Sequence, residues 1–387
     1  MSSACAGTAP LHVCDLTMLY ASHSGGVRRY LGEKRRWLRT QQQFRHTLVL
    51  PRYAQGPAAR QADGLIEVPS LPLPFSRGYR VPLNTRAALG ALKALRPNLI
   101  EAADPYHFAW AAVDAGQALG VPVIGFCHSD LPRMLGRLAG AGVERAAEAY
   151  MRRLYARFDL VLAPSRCMTE RLGGMGVQHV QHQPLGVDSR AFHPCRAHQG
   201  LRRALGLAAG DRLLVYFGRF GPEKNLPVLY RMLDLLGDGH VLLLIGDGTP
   251  PHHRAVRALP FQSDPRKLAA LVAACDVFVH AGDQETFGLA TLEAMACGVP
   301  AVVAGTGGQA ELVDAAVGAR TDAGSPQRGT ERFAAAMADG VRAVLARDRT
   351  ALGSAARLRA ERHDWCYVLP TLGRTYYAAC HGPDHHG

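Results

Sequence analysis

Short apolar runs alternate with helix-like stretches along almost the whole chain, and this alternation occurs twice. In the first half, runs at residues 11–19, 47–51, 98–102 and 121–127 are separated by segments with helical spacing. The pattern restarts near residue 211. Strands that alternate with helices predict a mostly parallel sheet covered by helices on both faces. We therefore expect two α/β domains, each a Rossmann-like fold on a doubly wound parallel sheet.

The chain length supports this division, because 387 residues are enough for two to three domains of ordinary size. A segment rich in proline, glycine and histidine separates the two halves. We predict an N-terminal domain at 1–184, a linker at 185–200 and a C-terminal domain at 201–363. A last helix at about 364–381 is expected to pack back on the N-terminal domain. Two doubly wound domains would face a central ligand cleft at the carboxyl ends of their strands.

Composition excludes several classes of protein. Hydrophobic residues make up 48% and charged residues 20%, so disorder does not describe the whole chain. No apolar run reaches the roughly 18 residues of a membrane-spanning helix, and residues 1–10 lack the pattern of a secretory signal. Nine cysteines occur without a C-x-x-C pair, which favours a reducing cytoplasm over a disulfide framework or a zinc site.

The basic charge is concentrated near the N-terminus. The chain carries a net charge of +12, and residues 1–60 hold nine Lys or Arg against two acids. Such a surface attracts polyanions, although a solvated basic face explains it equally well. Residues 27–39 and 133–157 mix basic with aliphatic and aromatic side chains. They fit either an anionic membrane surface or helices with an apolar face in the core. No nucleic-acid motif is present, so nucleic acid is not an expected partner.

Two carboxylates eight residues apart mark the most informative stretch of the second half. Glu285 precedes a turn, residues 287–289 open a predicted helix, and Glu293 lies inside that helix. Exposed amides at a helix N-terminus bind anions, and Gly288 would let a phosphate approach the backbone. Carboxylates on either side can accept hydrogen bonds from sugar hydroxyls. The stretch therefore predicts a site for a phosphorylated sugar.

Two further loops follow predicted strands in the same half. The first contains Gly218, Arg219 and Lys224, and the second contains Asp247 and Gly248. Arginine binds a diphosphate with a planar fork, and lysine binds it as a point charge. The carboxyl ends of parallel strands meet at one edge of a sheet, so the three loops are expected to converge there.

The order G-R-x4-K-N, I-G-D-G and E-T-F-G-L-A-x-L-E-A-M-A-C-G-V-P resembles the retaining glycosyltransferases of family 4, also called glycosyltransferase group 1, which have the GT-B fold. The resemblance covers nearly the whole chain. In the first half it includes S-G-G-V at 24–27, F-C-H-S-D-L-P at 126–132 and D-L-V-L-A-P-S at 159–165. The stretch from 184 to 194 resembles the signature between the two domains.

This resemblance implies roles for individual residues. Arg219 and Lys224 would hold the donor diphosphate, Glu293 would bind the ribose, and Glu285 would hold the donor sugar. His128 would face the reacting side of the sugar and assist by orientation and charge. The implied catalytic residues are His128, Arg219, Lys224 and Glu285. The implied donor-binding residues are Gly25, Gly26, Gly218, Asp247, Gly248, Phe287, Gly288, Leu289 and Glu293. The acceptor-side candidates are Asp104, Tyr106 and Asp130, with a role in turns as the alternative for the first two.

The expected reaction is transfer of a hexose, with retention, from a UDP- or GDP-sugar to a hydroxyl of a lipid or glycan. Both glutamates fall on the nucleotide side, so neither is expected to act as a nucleophile. The chain contains no D-x-D motif, and we expect no metal and no cofactor. Residues 258–264, which would contact the base, show no readable pattern, so the base stays open. The alternatives are a sugar-nucleotide epimerase or hydrolase and a basic polyanion-binding protein. The expected location is the cytoplasm, with peripheral association at the inner face of the cell membrane left open.

Overall fold

The computed structural model describes residues 9–21, 25–53, 64–73, 78–321 and 329–382. The chain divides into two compact units. Unit 1 contains the described residues of Met1–Ala163, Thr169–Gln183 and Leu369–Gly387. Unit 2 contains Pro164–Met168 and the described residues of Pro184–Val368.

Unit 1 is built on a seven-stranded parallel sheet with the order β3-β2-β1-β6-β7-β8-β9. Its central strands are buried, as expected for strands covered on both faces. A short antiparallel pair, β4 with β5, follows β3 in the sequence. The strands are β1 (Leu11–Leu16), β2 (Phe44–Pro51), β3 (Leu65–Val68), β4 (Ser70–Pro72), β5 (Arg80–Pro82), β6 (Leu99–Ala102), β7 (Val123–Phe126), β8 (Leu160–Ala163) and β9 (Val180–His182).

The helices of the first half follow the strands in the alternation that the sequence predicts. They are α1 (Gly26–Thr40), α2 (Thr85–Leu95), α3 (His107–Leu119), α4 (Leu131–Ala139), α5 (Ala141–Tyr155) and α6 (Arg166–Gly174). The last helix of the chain, α14 (Trp365–His381), belongs to unit 1 from Leu369 onward. Its Gly373 lies so close to Trp37 and Phe44 that an added Cβ would come within 2.8 Å of the Trp37 ring.

Unit 2 is built on a six-stranded parallel sheet with the order β12-β11-β10-β13-β14-β15. The strands are β10 (Arg212–Arg219), β11 (His240–Asp247), β12 (Val256–Pro260), β13 (Val277–His280), β14 (Ala301–Ala304) and β15 (Gly318–Thr321). The helices are α7 (Leu201–Ala204), α8 (Leu226–Leu236), α9 (Pro265–Val272), α10 (Leu289–Ala296), α11 (Gln309–Leu312), α12 (Thr330–Leu345) and α13 (Arg349–Glu361). One core cluster joins the sheet to α8 and α12 through apolar side chains such as Leu214, Leu242, Met232 and Phe333.

The prediction of two α/β domains with doubly wound parallel sheets is confirmed. Residues 164–168 pack with unit 2, although they lie inside the predicted N-terminal domain. The cause is a set of long-range hydrogen bonds. Ser165 Oγ donates to the Thr286 carbonyl at 2.7 Å, and the amides of Arg166 and Cys167 donate to the Glu311 carboxylate at 3.1 and 2.7 Å.

Candidate active site

Three strand ends of unit 2 place the predicted donor-binding loops side by side. Arg219 of β10 is paired with Asp247 of β11, and Gly246 of β11 is paired with Pro260 of β12. Gly248 follows at a φ of 131°, where glycine is favoured. A Cβ on Gly246 would lie 1.9 Å from the Gly218 carbonyl oxygen, so this part of the edge accepts only glycine. The result is an open row of backbone and charged groups at the carboxyl edge of the sheet.

Lys224 and Glu285 meet at this edge. The Lys224 ammonium donates to Glu285 Oε1, and His280 Nε2 lies 3.3 Å from the same oxygen. Burial opposes ionisation of Glu285, but the charge of Lys224 and the hydrogen bond from His280 hold its pKa well below its usual range. The carboxylate is therefore ionised at neutral pH, and each of these two side chains keeps 20% of its surface exposed.

His280 was not predicted as a site residue. The amide of Gly282 donates to His280 Nδ1 at 3.1 Å, so the neutral ring carries its hydrogen on Nε2 and points it at Glu285. The sequence signal was its position directly after the apolar run 277–279, at the same sheet edge as the predicted loops. Such strand-end polar residues are positioned by the sheet itself.

Asn225 and Gln309, also absent from the predicted site, hold the loop that carries Glu285. Asn225 adopts a left-handed backbone with φ 52° and donates to Ala281 O at 2.9 Å and Asp283 Oδ1 at 3.2 Å. Gln309 Nε2 donates to Gly282 O at 2.6 Å. These bonds fix residues 281–283, which lead into Glu285.

Gly307 and Gly308, which follow β14, let their loop approach the loop that carries Glu285. Gly308 N donates to Glu285 O at 2.7 Å, and a Cβ on Gly307 would lie 2.5 Å from that oxygen. Gly288 has a φ of 101° and an added Cβ there would lie 2.6 Å from Gln309 Cβ. Any larger residue at these positions would push the two loops apart, so the glycines set the position of Glu285.

Helix α10 begins directly after Gly288. Leu289 and its neighbour Ala290 are partly exposed, whereas Phe287 is buried. Leu289 N to Thr291 N are the amides that an α-helix leaves without partners in its own first turn. Glu293 lies one turn further along and is 2% exposed. The helix thus presents an amide-lined end next to the Lys224–Glu285 pair.

Arg219 is placed differently from Lys224. Its side chain is 57% exposed and its Nη2 lies 2.6 Å from Glu223 Oε1. The two predicted diphosphate ligands therefore pair with different carboxylates in this structure. Arg219 is largely exposed and paired with Glu223, whereas Lys224 is held at Glu285.

In unit 1, His128 follows β7 and is stacked on Phe126, with ring centroids 4.1 Å apart. The Tyr30 ring packs against it at 4.9 Å. Burial and the nearby Lys34 charge lower the pKa of His128 to about 3. The imidazole is therefore neutral at physiological pH. The charge that the resemblance implies for His128 stays a prediction, and the neutral ring can act by hydrogen bonding.

The glycine loop of unit 1 ends at the start of α1. Gly25 precedes the helix and Gly26 is its first residue, and both are exposed. The first turn has no acidic residue and no side-chain cap. A Cβ on Gly25 would meet nothing within 4 Å, so the loop has room beside it. Ser24, which the resemblance includes in this loop, lies outside the described residues.

The acceptor-side candidates differ in exposure. Asp104 is buried and accepts hydrogen bonds from Thr17 Oγ1 at 3.0 Å and Met18 N at 2.6 Å, and burial raises its pKa to about 6. Asp130 caps α4 and lies 3.2 Å from Arg171 Nε. Tyr106 is partly exposed and lines an open groove. Of the three, Tyr106 is the one with surface available to a ligand.

The two basic segments also differ. In α1 the apolar residues Tyr30, Leu31 and Leu38 are buried in the core. This agrees with the interpretation of residues 27–39 as a helix whose apolar face packs in the core. In α4 and α5, by contrast, Leu138 is 76% exposed and Met134 38% exposed. The described residues include no helix with the length and apolar character to cross a bilayer. They also include no cluster of three or more His, Cys, Asp or Glu side chains fit to hold a metal.

Two family models match the chain along most of its length. The model described as Glycosyltransferase Family 4 matches residues 24–190, and the model described as Glycosyl transferases group 1 matches residues 199–359. Together they cover both units. The comparisons give no support to a sugar-nucleotide epimerase or to a polyanion-binding protein.

Curated relatives point to the same family. A GDP-mannose-dependent alpha-(1-6)-phosphatidylinositol dimannoside mannosyltransferase of Mycobacterium tuberculosis (strain ATCC 25177 / H37Ra) is 32% identical over 80% of this chain and 82% of its own length. A GDP-mannose-dependent alpha-mannosyltransferase of Mycolicibacterium smegmatis is 32% identical over 67% of this chain and 70% of its own length.

Solved structures establish the fold. The structure of Anabaena HepE with UDP and glucose matches with a TM-score of 0.73 and 19% identity, over 95% of this chain and all of the other. Sucrose-phosphate synthase from Thermosynechococcus elongatus matches with a TM-score of 0.76 and 18% identity, over 95% of this chain and 98% of the other. The chain therefore belongs to the group 1 glycosyltransferases of GT-B fold and is a hexosyltransferase.

Proposed function

We propose that this enzyme transfers mannose from GDP-mannose to a hydroxyl of a glycolipid, with retention of configuration and without a divalent metal. The observation that carries the proposal is the Lys224–Glu285–His280 group beside the N-terminus of α10. The choice of donor is supported by the GDP-mannose-dependent relatives, one of which matches over 82% of its length.

The leaving group is the first chemical problem of such a transfer, because a nucleoside diphosphate departs with new negative charge. Lys224 and the first-turn amides of α10 are suited to stabilise that charge. Arg219 is exposed enough to swing from Glu223 to the same diphosphate. Protein cations thus take the part of a metal. Loss of activity in EDTA that manganese restores would contradict this part of the proposal.

Glu285 is suited to bind the sugar. Because its pKa is held low, it stays ionised and accepts hydrogen bonds from sugar hydroxyls. A glycosidase acid needs the opposite, a carboxyl with a raised pKa. In the proposed reaction the departing phosphate takes the proton of the acceptor hydroxyl, which attacks the face that the diphosphate leaves. Glu293 binds the ribose of the nucleotide.

The guanine base has a candidate partner after β12. Phe261 follows Pro260 at the same sheet edge as Asp247 and is 36% exposed. An exposed ring there is suited to stack on a purine. This gives residues 258–264, which had no readable pattern, a specific role in the proposal.

Unit 1 contributes by shape and hydrogen bonding in this proposal. Gly25 leaves room beside the N-terminus of α1 for an approaching donor, and Gly26 is exposed next to it. His128, neutral at physiological pH, orients the sugar without adding charge. The exposed apolar and basic residues of α4 and α5 support peripheral association with an anionic membrane that holds a lipid acceptor.

The donor is tested by thermal unfolding in the presence of GDP-mannose, UDP-glucose, UDP-galactose and ADP-glucose. A ligand at 100 times its dissociation constant stabilises the folded chain by about 2.7 kcal/mol. We expect GDP-mannose and GDP to raise the unfolding temperature and the other three sugars to leave it nearly unchanged. Stabilisation by a UDP-sugar alone would contradict the choice of GDP-mannose.

A further inference from the structure

An open apolar groove in unit 1 lies between α4, α5 and the first turns of α3. Its volume is about 670 Å³, within the range of roughly 300–1,000 Å³ that is usual for ligand sites. The groove is formed by residues of one unit and has no part in the donor site described above. The residues that line it are Tyr106, His107, Trp110, Leu131, Met134, Leu135, Val143, Ala146, Ala147 and Tyr150.

The polar atoms of Trp110 and Tyr150, two aromatic residues of the wall, are turned toward each other. The Tyr150 hydroxyl donates to Pro105 O at 2.7 Å and accepts a hydrogen bond from Trp110 Nε1 at 3.2 Å. The ring faces are therefore left for the groove. A sugar bound here would find few hydrogen-bond partners for its hydroxyls, whereas a hydrocarbon forms no hydrogen bonds and needs none. The chemistry of the wall favours an aliphatic ligand.

The mouth of the groove is also apolar. Leu138 is 76% exposed, Val143 39% and Met134 38%, and these side chains lie on neighbouring parts of α4 and α5. Large apolar side chains that stay open to solvent together mark an interaction surface. Within the part of the chain that the structure describes, they remain uncovered. The ligand that enters the groove is therefore expected to cover them.

The charge around the mouth is positive. Arg133 and Arg145 are exposed on α4 and α5, and Arg137 lies between them in sequence. The two acids of α5, Glu144 and Glu148, are both bound by Arg171 at 3.1 and 2.9 Å. Asp130 also faces Arg171 and Arg133, so arginines 133, 137, 145 and 171 stand against three carboxylates, and the rim keeps a net charge of +1. An anionic head group is the complement of such a rim.

We propose that this groove binds one acyl chain of an anionic glycerophospholipid, with the phosphate against the arginines of its rim. This inference rests on the proposed function, in which the lipid is the acceptor. The groove then takes up one acyl chain and positions the head group for reaction. The occupant is a single hydrocarbon chain held in unit 1. This differs from association with the bilayer surface, which needs no groove.

Trp110 provides a direct test because it lines the groove. A lysophosphatidylglycerol with a dibrominated acyl chain, used below its micelle concentration, should quench the fluorescence of Trp110 by contact. We expect saturable quenching in the wild type, which has three tryptophans, and loss of most of it in Trp110→Phe. Equal quenching in both proteins would overturn the proposal, because the chain would then lie elsewhere.

A matched pair of variants tests the groove itself. Ala146 and Ala149 are both exposed on α5, but only Ala146 lines the groove. Ala146→Phe should weaken binding of the brominated lipid by about tenfold or more, and Ala149→Phe should leave it within about twofold. Equal effects of the two changes would mean binding to the surface and would overturn the proposal. Glycerophosphoglycerol, which has no chain, should compete at least about tenfold more weakly than unbrominated lysophosphatidylglycerol, and equal competition would overturn the proposal.

This experiment contains no nucleotide sugar, so its result does not depend on turnover. Lipid binding without mannosyl transfer would contradict the proposed function and leave the groove established. Transfer to a glycolipid by a protein whose Trp110 is not quenched would leave the function and overturn the groove. Brominated monoacylglycerol should bind at least about tenfold more weakly than the anionic lipid, and equal binding would contradict the role of the arginines.

Discussion

Lys34 of α1 lies 2.6 Å from Asp15 of β1, and both side chains are fully buried. The ammonium is also 2.9 Å from Glu101 of β6, which accepts a hydrogen bond from the Tyr376 hydroxyl of α14 at 2.5 Å. Burial opposes the charge on Lys34, but the two carboxylates outweigh it and raise its pKa. One cation thus joins two strands and two helices inside unit 1.

We predict that Lys34→Met lowers the free energy of unfolding by about 3–5 kcal/mol, because it leaves two carboxylates buried without their cation. Lys93→Met is the control, since Lys93 is exposed on α2 and should change stability by no more than about 0.5 kcal/mol. Urea unfolding measures both. A loss below about 1 kcal/mol for Lys34→Met would show that the carboxylates find other partners.

Stability should fall in acid partly because of His128. Its pKa is lowered to about 3 from 6.5, so between these values the unfolded chain binds a proton that the folded chain does not. The free energy of unfolding therefore decreases as pH falls from 6.5, by at most about 1.4 kcal/mol per pH unit. Partial exposure of the ring reduces the effect.

The measurement is urea unfolding between pH 7 and pH 5 for the wild type and His128→Asn. The variant lacks this titration, so its stability should decline less steeply, while His12, His46 and Asp104 contribute equally to both proteins. Identical slopes would mean that the His128 imidazole is not buried enough to resist protonation.

The buried lysine also illustrates what the sequence could predict. In α1, Tyr30, Lys34 and Leu38 are four residues apart and all are buried. This spacing marks one helix face, so the sequence did indicate that Lys34 shares the core-facing side. The two carboxylates that allow its burial lie in β1 and β6, and nothing in the local sequence links them to α1. Of the nine Lys and Arg in residues 1–60, which were interpreted together as a basic surface, Lys34 is therefore a buried exception.

At the donor site, Lys224→Ala should reduce kcat by at least about tenfold, equivalent to about 1.4 kcal/mol, because the leaving charge loses its cation. Lys93→Ala is the control, since Lys93 is exposed on α2 of unit 1 and is not among the donor-site residues. Steady-state kinetics with a fixed acceptor, together with circular dichroism to confirm folding, provides the measurement. Near-normal kcat in Lys224→Ala would remove it from the mechanism.

Glu293→Gln should act on nucleotide binding. We expect KM for the donor to rise and kcat/KM to fall by at least about tenfold, since the ribose loses a charged acceptor. Titration calorimetry with GDP separates binding from turnover. Unchanged affinity for GDP would place Glu293 in the packing of α10 rather than at the ribose.

Membrane association should depend on α4 and α5. The wild type is expected to sediment with phosphatidylglycerol vesicles at low salt and to be released at about 0.5 M salt, where charges are screened. Arg133, Arg137 and Arg145 changed together to Ser should weaken sedimentation. The same change of Arg28 and Arg39 on α1, whose apolar face is in the core, should have less effect. The reverse order would place the membrane contact on α1.

The donor site was predictable in part for a physical reason. Parallel strands bring their carboxyl ends to one edge, so Arg219, Asp247 and Glu285 could be assigned to one region from sequence alone. Lys224 and Glu285 are 61 residues apart. Their pairing depends on the hydrogen bonds by which Asn225 and Gln309 hold the loop before Glu285, at Ala281 and Gly282. Such long-range hydrogen bonds leave no periodic signal, which is why His280, Asn225 and Gln309 were missed.

The central claim is retaining transfer from GDP-mannose to a glycolipid. The most direct measurement follows mannose labelled at C1 from GDP-mannose into a phosphatidylinositol mannoside, in EDTA, with NMR of the anomeric carbon of the product. The account predicts labelled lipid with an α linkage. A β-linked product, or transfer from UDP-glucose with none from GDP-mannose, would contradict it.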